Sequence, residues 1–330
     1  MGALSDFRLL RPASAADAVR LRGEHPASRF IAGGTDLLPN MRRGLVGADV
    51  VIELAGIGEL SQLGIDAGRG EDVLRIGAGV TLATLADDVT VRRRLPALAQ
   101  AALAVAGPTH RTVATLGGNL CLDTRCQYYN QSEDWRRGND YCLKRSGDTC
   151  RVAPKSSRCY AAFSGDVAPA LLALGADVEI LGPQGLRRLP LAEFYRDDGL
   201  SWLALGADEL LFAVTVPLAD GWASGYEKLR VRGAIDFPLA GVAVALRRDG
   251  DAIGALRVAC TGVSSRPELI AGLDELAGRP LDDAAFATIE RAIKRGTQPM
   301  ETTQMSVPYR RRATPVLAKR LVRRLWDGGG

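Results

Sequence analysis

Four cysteines, Cys126, Cys142, Cys150 and Cys159, stand in one polar stretch of the chain, separated by 15, 7 and 8 residues. Four thiolates favour soft metals, so the chemistry within reach is iron–sulfur or zinc binding, not magnesium or calcium binding. No pair is spaced C-x2-C, which sets aside the zinc-finger and zinc-ribbon patterns and the compact ferredoxin run. A loop folded around a cluster can still bring four thiolates to it. Arg125, Arg145, Arg151, Lys155 and Arg158 flank these positions and are expected to favour the thiolate form. Ordinary reduced cysteines are the plainer alternative. Buried structural cysteines, however, sit in apolar elements, as Cys260 does within Val258-Ala259-Cys260-Thr261. Cys121 closes an apolar approach and is not needed as a ligand.

Two glycine pairs offer a second chemistry. Ala32-Gly33-Gly34-Thr35-Asp36-Leu37 follows a strand-like run, and Ala114-Thr115-Leu116-Gly117-Gly118-Asn119-Leu120 repeats the device. Adjacent glycines let successive N–H groups converge on an anion with no Cβ in the way. Thr35 adds a hydroxyl and Asn119 an amide. Neither turn is G-x-G-x-x-G, so no Rossmann site is indicated. Each alone is equally a plain turn; together they suit the two phosphates of a dinucleotide.

The elements that must position these groups read as short strands alternating with helices. Strand candidates are Phe30–Ala32, Val50–Leu54, Leu74–Gly79, Asp177–Leu181, Leu210–Val216, Gly241–Leu246 and Ala255–Thr261. Helices are expected between Pro96 and Gly107, over Pro169–Leu174, over Asp282–Arg295 and over Pro315–Trp326. This is an α+β chain of three lobes, residues 1–58, 59–221 and 222–330, the last an antiparallel sheet with helices. Residues 122–160 break the rhythm: polar, aromatic and without periodicity, they need something else to order them.

The 330 residues are 47% hydrophobic and 24% charged, which excludes wholesale disorder and permits a core without disulfides. Two histidines, His25 and His110, argue against histidine-built hydrolase and metal sites. A net charge of +4 is too mild for a dedicated nucleic-acid binder. No apolar run reaches a membrane span, and Met1–Asp6 has no basic-then-apolar leader, so a cytoplasmic protein is expected. From Arg310 to Arg324 seven cations occur without an acid. They suit a solvated helix face, with Leu317, Leu321 and Leu325 opposite, or docking to a partner subunit or an acidic ferredoxin.

The two glycine turns resemble the FAD-pyrophosphate loops of the flavoprotein subunits of molybdenum hydroxylases, the xanthine and carbon monoxide dehydrogenase group. Ser164-Gly165-Asp166-Val167-Ala168-Pro169-Ala170 is similar to the segment whose aspartate binds the ribityl chain. Glu209-Leu210-Leu211 and Tyr226-Glu227-Lys228 match segments whose leucines and lysine lie on the flavin, and Val105 falls at another flavin contact. The resemblance covers nearly the whole chain. It implies the three-lobed FAD-binding fold of that family. It also implies FAD held by Ala32, Gly33, Gly34, Thr35, Asp36, Leu37, Val105, Thr115, Gly117, Gly118, Asn119, Asp166, Leu210, Leu211 and Lys228. Partner subunits would carry the molybdenum cofactor and [2Fe-2S] clusters, and no catalytic acid or base is implied here.

Most relatives pass directly from the second glycine turn to the Gly-Asp segment. The four-cysteine insertion resembles that of the β subunits of 4-hydroxybenzoyl-CoA reductases, whose [4Fe-4S] ligand pattern falls on Cys126, Cys142, Cys150 and Cys159. The implied reaction adds two electrons and two protons to 4-hydroxybenzoyl-CoA, giving benzoyl-CoA and water. Reduced ferredoxin would be the donor, and FAD would relay electrons toward molybdenum. The rivals are an oxidative hydroxylase acting on another aromatic or heterocycle, a zinc-stabilised binding module, and an insertion that binds no metal.

Overall fold

The computed structural model describes residues 4–67, 72–303 and 305–328. The first three residues and Gly329–Gly330 lie outside them. The chain opens with β1 (Arg8–Leu10), α1 (Ala15–Glu24), β2 (Arg29–Ile31), α2 (Leu37–Arg42) and β3 (Val50–Glu53). Ser14 starts α1 by accepting the Asp17 N–H on its Oγ at 3.0 Å, which satisfies one of the orphan donors of the first turn. The three strands form a small parallel sheet in the order β1-β3-β2. Parallel pairing needs a crossover, which α1 and the first glycine turn with α2 supply.

A second sheet follows, in the order β4-β5-β8-β6-β7, all antiparallel. Its strands are β4 (Leu63–Asp66), β5 (Val73–Gly77), β6 (Asp177–Gly182), β7 (Gly185–Pro190) and β8 (Leu210–Pro217). Between β5 and β6 the chain leaves the sheet for about a hundred residues. It forms α3 (Leu82–Asp87), α4 (Val89–Arg94), α5 (Pro96–Ala104), α6 (Pro108–Arg111), α7 (Leu116–Leu120), α8 (Glu133–Gly138) and α9 (Val167–Leu174). Pro96 opens α5 where its missing N–H costs nothing. Every residue of α9 is buried, because the helix lies between this sheet and the next.

The third sheet, β12-β11-β10-β9, is antiparallel, built of β9 (Trp222–Leu229), β10 (Ala240–Asp249), β11 (Ala252–Thr261) and β12 (Glu268–Leu269). α10 (Asp283–Gly296) and α11 (Val307–Trp326) cover one face around Val242, Val244, Cys260, Leu321 and Leu325. Cys260 is therefore the core cysteine its neighbours suggested.

α11 departs from expectation by beginning at Val307, eight residues before Pro315. Pro315 cannot donate to the preceding turn, yet the helix continues through it. The carbonyl it leaves without an N–H belongs to Arg311, an exposed residue, and the helix's apolar face is packed on β10. Nor is the basic run wholly solvated. Arg310 is fully buried, donating to the carbonyls of Leu239 (2.9 Å), Met300 (2.9 Å) and Gly262. Burial without a carboxylate pulls its pKa down to about 10. Among the described residues no helix is long and apolar enough to cross a membrane.

Candidate functional site

A cavity of about 860 Å³ runs between the lobes, lined by both glycine turns and by residues of the cysteine insertion. The first turn connects β2 to α2, and Gly34 takes φ +70°, a conformation that favours glycine. The second turn packs back on the first: a Cβ built on Gly33 would stand 1.9 Å from the Val113 carbonyl oxygen. Thr115 Oγ1 accepts the Gly118 N–H at 3.1 Å and so caps α7. Asn119 Oδ1 accepts the Val167 N–H at 3.2 Å, which fixes the amide and leaves its NH2 to donate elsewhere.

Asp166 reaches the cavity from the start of α9. Alternation along β9 puts Tyr226 and Lys228 on one face. Tyr226 Oη donates to Asp166 Oδ1 at 2.6 Å, and Lys228 Nζ donates to Oδ2 at 2.9 Å and to the Ala104 carbonyl at 3.0 Å. Burial pushes the Asp166 carboxyl up and the Lys228 ammonium down, each opposed by the other's charge. Asp36 is likewise raised by burial and opposed by Arg125, with which it forms an ion pair.

Of the residues singled out from sequence, Ala32, Gly33, Gly34, Thr35, Asp36, Leu37, Val105, Thr115, Gly118, Asn119 and Asp166 line this cavity. Lys228 stands behind Asp166. Gly117 packs on Ala78 at the end of β5, where a Cβ would sit 2.8 Å from the Ala78 Cβ. Leu210 and Leu211 lie in β8 and pack into the cores on either side rather than forming the cavity surface. Sequence reasoning did not anticipate His110, Trp202, Ile235 and Phe237 in the wall, nor the reach of Asp123, Tyr129 and Lys144 into it. At the mouth, Ile235 holds φ +53° and donates its N–H to Ala106, itself at φ +45°. A β-branched residue there is a genuine outlier, so the surrounding contacts hold this loop in place.

The cysteine insertion has one short helix, α8, and is otherwise turns, pinned by a fully buried Arg136. Arg136 donates to the carbonyls of Gln131, Arg43 (3.2 Å) and Gly44 (3.3 Å) and pairs with Glu133 at 2.7 Å. It thereby ties the insertion to the turn after α2. Cys126, Cys142, Cys150 and Cys159 are all buried and line one small cavity together with Tyr129 and Lys144. Tyr129 and Lys144 also line the large cavity, so the two share a wall. Cys121 belongs to the large cavity instead.

At Cys126 and Cys159 the expectation that flanking cations favour the thiolates is corrected. Burial dominates there, raising Cys126 to about 12 and, against the opposing charge of Lys144, Cys159 to about 11. Arg125 is engaged by Asp36, Arg158 by Asp197, Arg145 by the Gly44 carbonyl and Arg151 by those of Tyr141 and Asn139, while Lys155 is exposed.

Five side-chain atoms of residues lining the large cavity are buried without a hydrogen-bond partner: Asn40 Oδ1, His110 Nδ1, Arg125 Nε, Arg145 Nε and Trp202 Nε1. Such orphans are rare in a protein interior, and their concentration here fits a site built for a large polar group. In the small cavity the donor set is four thiols, which suits soft iron or zinc. Among the described residues, however, no group of three or more His, Cys, Asp or Glu side chains is placed to hold a metal ion.

Residues 5–219 match the FAD binding domain in molybdopterin dehydrogenase, and residues 224–325 match the CO dehydrogenase flavoprotein C-terminal domain. The chain belongs to the FAD-binding subunits of the molybdenum hydroxylase family. These are oxidoreductase subunits, and the fold expected from sequence is the one found. The chain is 34% identical over 97% of its length to the aldehyde oxidoreductase FAD-binding subunit PaoB of Escherichia coli, covering 98% of that protein. It is 29% identical to the carbon monoxide dehydrogenase medium chain of Afipia carboxidovorans, with 96% of each chain covered. Its fold superposes on carbon monoxide dehydrogenase from Hydrogenophaga pseudoflava with a TM-score of 0.80 at 24% identity, covering 98% of this chain and 99% of that one.

Proposed function

We propose that this flavoprotein subunit is a two-centre electron relay, with FAD in the large cavity and a [4Fe-4S] cluster on Cys126, Cys142, Cys150 and Cys159. The observation that carries this reading is the shared wall: four buried thiols gather directly behind Tyr129 and Lys144, which also face the flavin cavity. When bound, FAD supplies a centre that exchanges one or two electrons, linking one-electron carriers to a two-electron reaction.

The chain's own residues do the holding. N–H groups of Gly33 and Gly34 would face the diphosphate, with Thr35 and Asn119 as side-chain donors, while Gly118, its own N–H held by Thr115, lets the group approach closely. Asp166, fixed by Tyr226 and Lys228, accepts from ribityl hydroxyls, and Val105 flanks the ring system. Leu210, Leu211 and Gly117 support the site from behind its wall. Partner subunits carry the molybdenum cofactor and [2Fe-2S] clusters, with a ferredoxin as the outside partner.

For the substrate, likeness to PaoB along 97% of the chain favours aldehyde oxidation, in which an aldehyde and water give a carboxylic acid, two electrons and two protons. The second reading, reductive dehydroxylation of 4-hydroxybenzoyl-CoA, is favoured by the four-cysteine insertion alone. The assembled complex tests both under anaerobic conditions, supplied either with aldehydes and an electron acceptor or with reduced ferredoxin and 4-hydroxybenzoyl-CoA. Acid formation with acceptor reduction supports the first reading, and benzoyl-CoA formation supports the second. Neither product from a complex replete in FAD, iron and molybdenum overturns both.

A further inference from the structure

The wall between the two cavities carries an ordered pair of charges. Lys144 lies two residues after Cys142, and its side chain is only 5% exposed. Its ammonium donates to Asp123 Oδ1 at 2.7 Å, to the Gly199 carbonyl at 2.6 Å and to Thr124 Oγ1. All three N–H bonds are thus committed, and the charge is held in place. The rings of Trp202 and Tyr129, with centroids 4.6 Å and 5.0 Å from Nζ, complete its surroundings. Asp123 also accepts from Tyr129 Oη at 3.1 Å.

The two charges are not placed alike. Lys144 lines both cavities, whereas Asp123 lines only the large one. The remaining insertion cations in the large cavity, Arg125 and Arg145, do not line the thiol cavity.

We infer that the Lys144–Asp123 pair is an electrostatic partition that sets the difference in reduction potential between the two redox centres. This rests on the two-centre reading above. A fixed positive charge stabilises an added electron and a fixed negative charge destabilises it, and both act strongly in a poorly solvated wall. Because Lys144 borders both sites and Asp123 only the flavin side, the carboxylate offsets the ammonium more fully at the flavin, and reduction is favoured at the cluster relative to the flavin. Lys144 and Asp123 are positioning residues. They order the two potentials without touching a substrate.

The test is a potentiometric titration of the holo-complex, following the cluster by electron paramagnetic resonance and the flavin by visible absorbance. Lys144→Met leaves Asp123 unopposed and is expected to shift the cluster potential to more negative values. Asp123→Asn leaves the ammonium unopposed and is expected to shift both potentials positive, the flavin's more than the cluster's. Lys144→Arg keeps the charge and should leave both near wild type. A purely structural role would not reverse the sign between the first two variants. Shifts of one sign, or none, in complexes with full FAD and iron overturn the partition alone. Should Lys144→Met fail to fold, the positive shift in Asp123→Asn decides the matter. A wild-type complex without iron overturns the two-centre reading, and the partition with it.

Discussion

Replacing Gly33 by alanine should separate the two glycine turns. A methyl group at this position would meet the Val113 carbonyl oxygen at 1.9 Å, its carbon at 2.4 Å and the Ala114 nitrogen at 2.9 Å. These are backbone atoms, so no rotamer change relieves the clash. Reaching an ordinary contact of 3.4 Å from 1.9 Å requires a retreat of about 1.5 Å by one turn. Overpacking of that kind costs about 1–3 kcal/mol of stability. In the proposed cradle a shift of this size would also break at least one N–H bond to a charged phosphate, worth about 1.5–3 kcal/mol, so FAD affinity should fall roughly 10- to 150-fold. The control is Gly23→Ala in α1, where a methyl meets nothing within 4 Å. That change should stabilise by about 0.5–1 kcal/mol and leave FAD binding alone. The assay is FAD titration by flavin fluorescence, with thermal unfolding of the same samples. Wild-type FAD affinity in Gly33→Ala would refute the close approach of the two turns and the cradle built on it.

Three further outcomes follow from charges and buried donors. Lys228→Met strands the Asp166 carboxylate with Tyr226 as its one remaining donor and should cost about 3–5 kcal/mol in chemical denaturation, most of it recovered in Lys228→Met/Asp166→Asn. Arg136→Met removes the tie between the insertion and the turn after α2. It should cost about 1–3 kcal/mol and speed hydrogen exchange across residues 127–152 but not across α10; unchanged exchange would contradict the tie. Glu290, held by Lys294 and Lys319, has its pKa lowered from 4.5 to about 2. Its folded pKa lies below the unfolded one, so its contribution is present above pH 4.5 and lost as pH falls through about 2. With its side chain about a third exposed, Glu290→Gln should cost less than about 1 kcal/mol at neutral pH, and the gap to wild type should close with acidification.

What the sequence made legible was local. Glycine pairs, the Pro96 start of α5 and the alternation of β10 and β11 specify their own conformations, and the structure has them. The helix start at Val307 was hidden although Pro308 marks its first turn, because Pro315, eight residues after Val307, offers a second first-turn signal. Only the packing against β10 shows that Pro315 can sit inside. The charged flanks of the cysteines misled for a related reason. A cation near a thiol in sequence is free to pair elsewhere in space, as Arg125 does with Asp36 and Arg158 with Asp197. The shared wall was illegible because Lys144 is held by Asp123 and Gly199, contacts spanning 21 and 55 residues.

The two-centre reading stands or falls most directly on composition. FAD, iron and acid-labile sulfide are to be quantified per chain in anaerobically purified wild type and in Cys142→Ser. The account predicts one FAD with about four iron and four sulfide per chain, and loss of the iron but not the FAD in the variant. One FAD and no iron in the wild-type chain would contradict it.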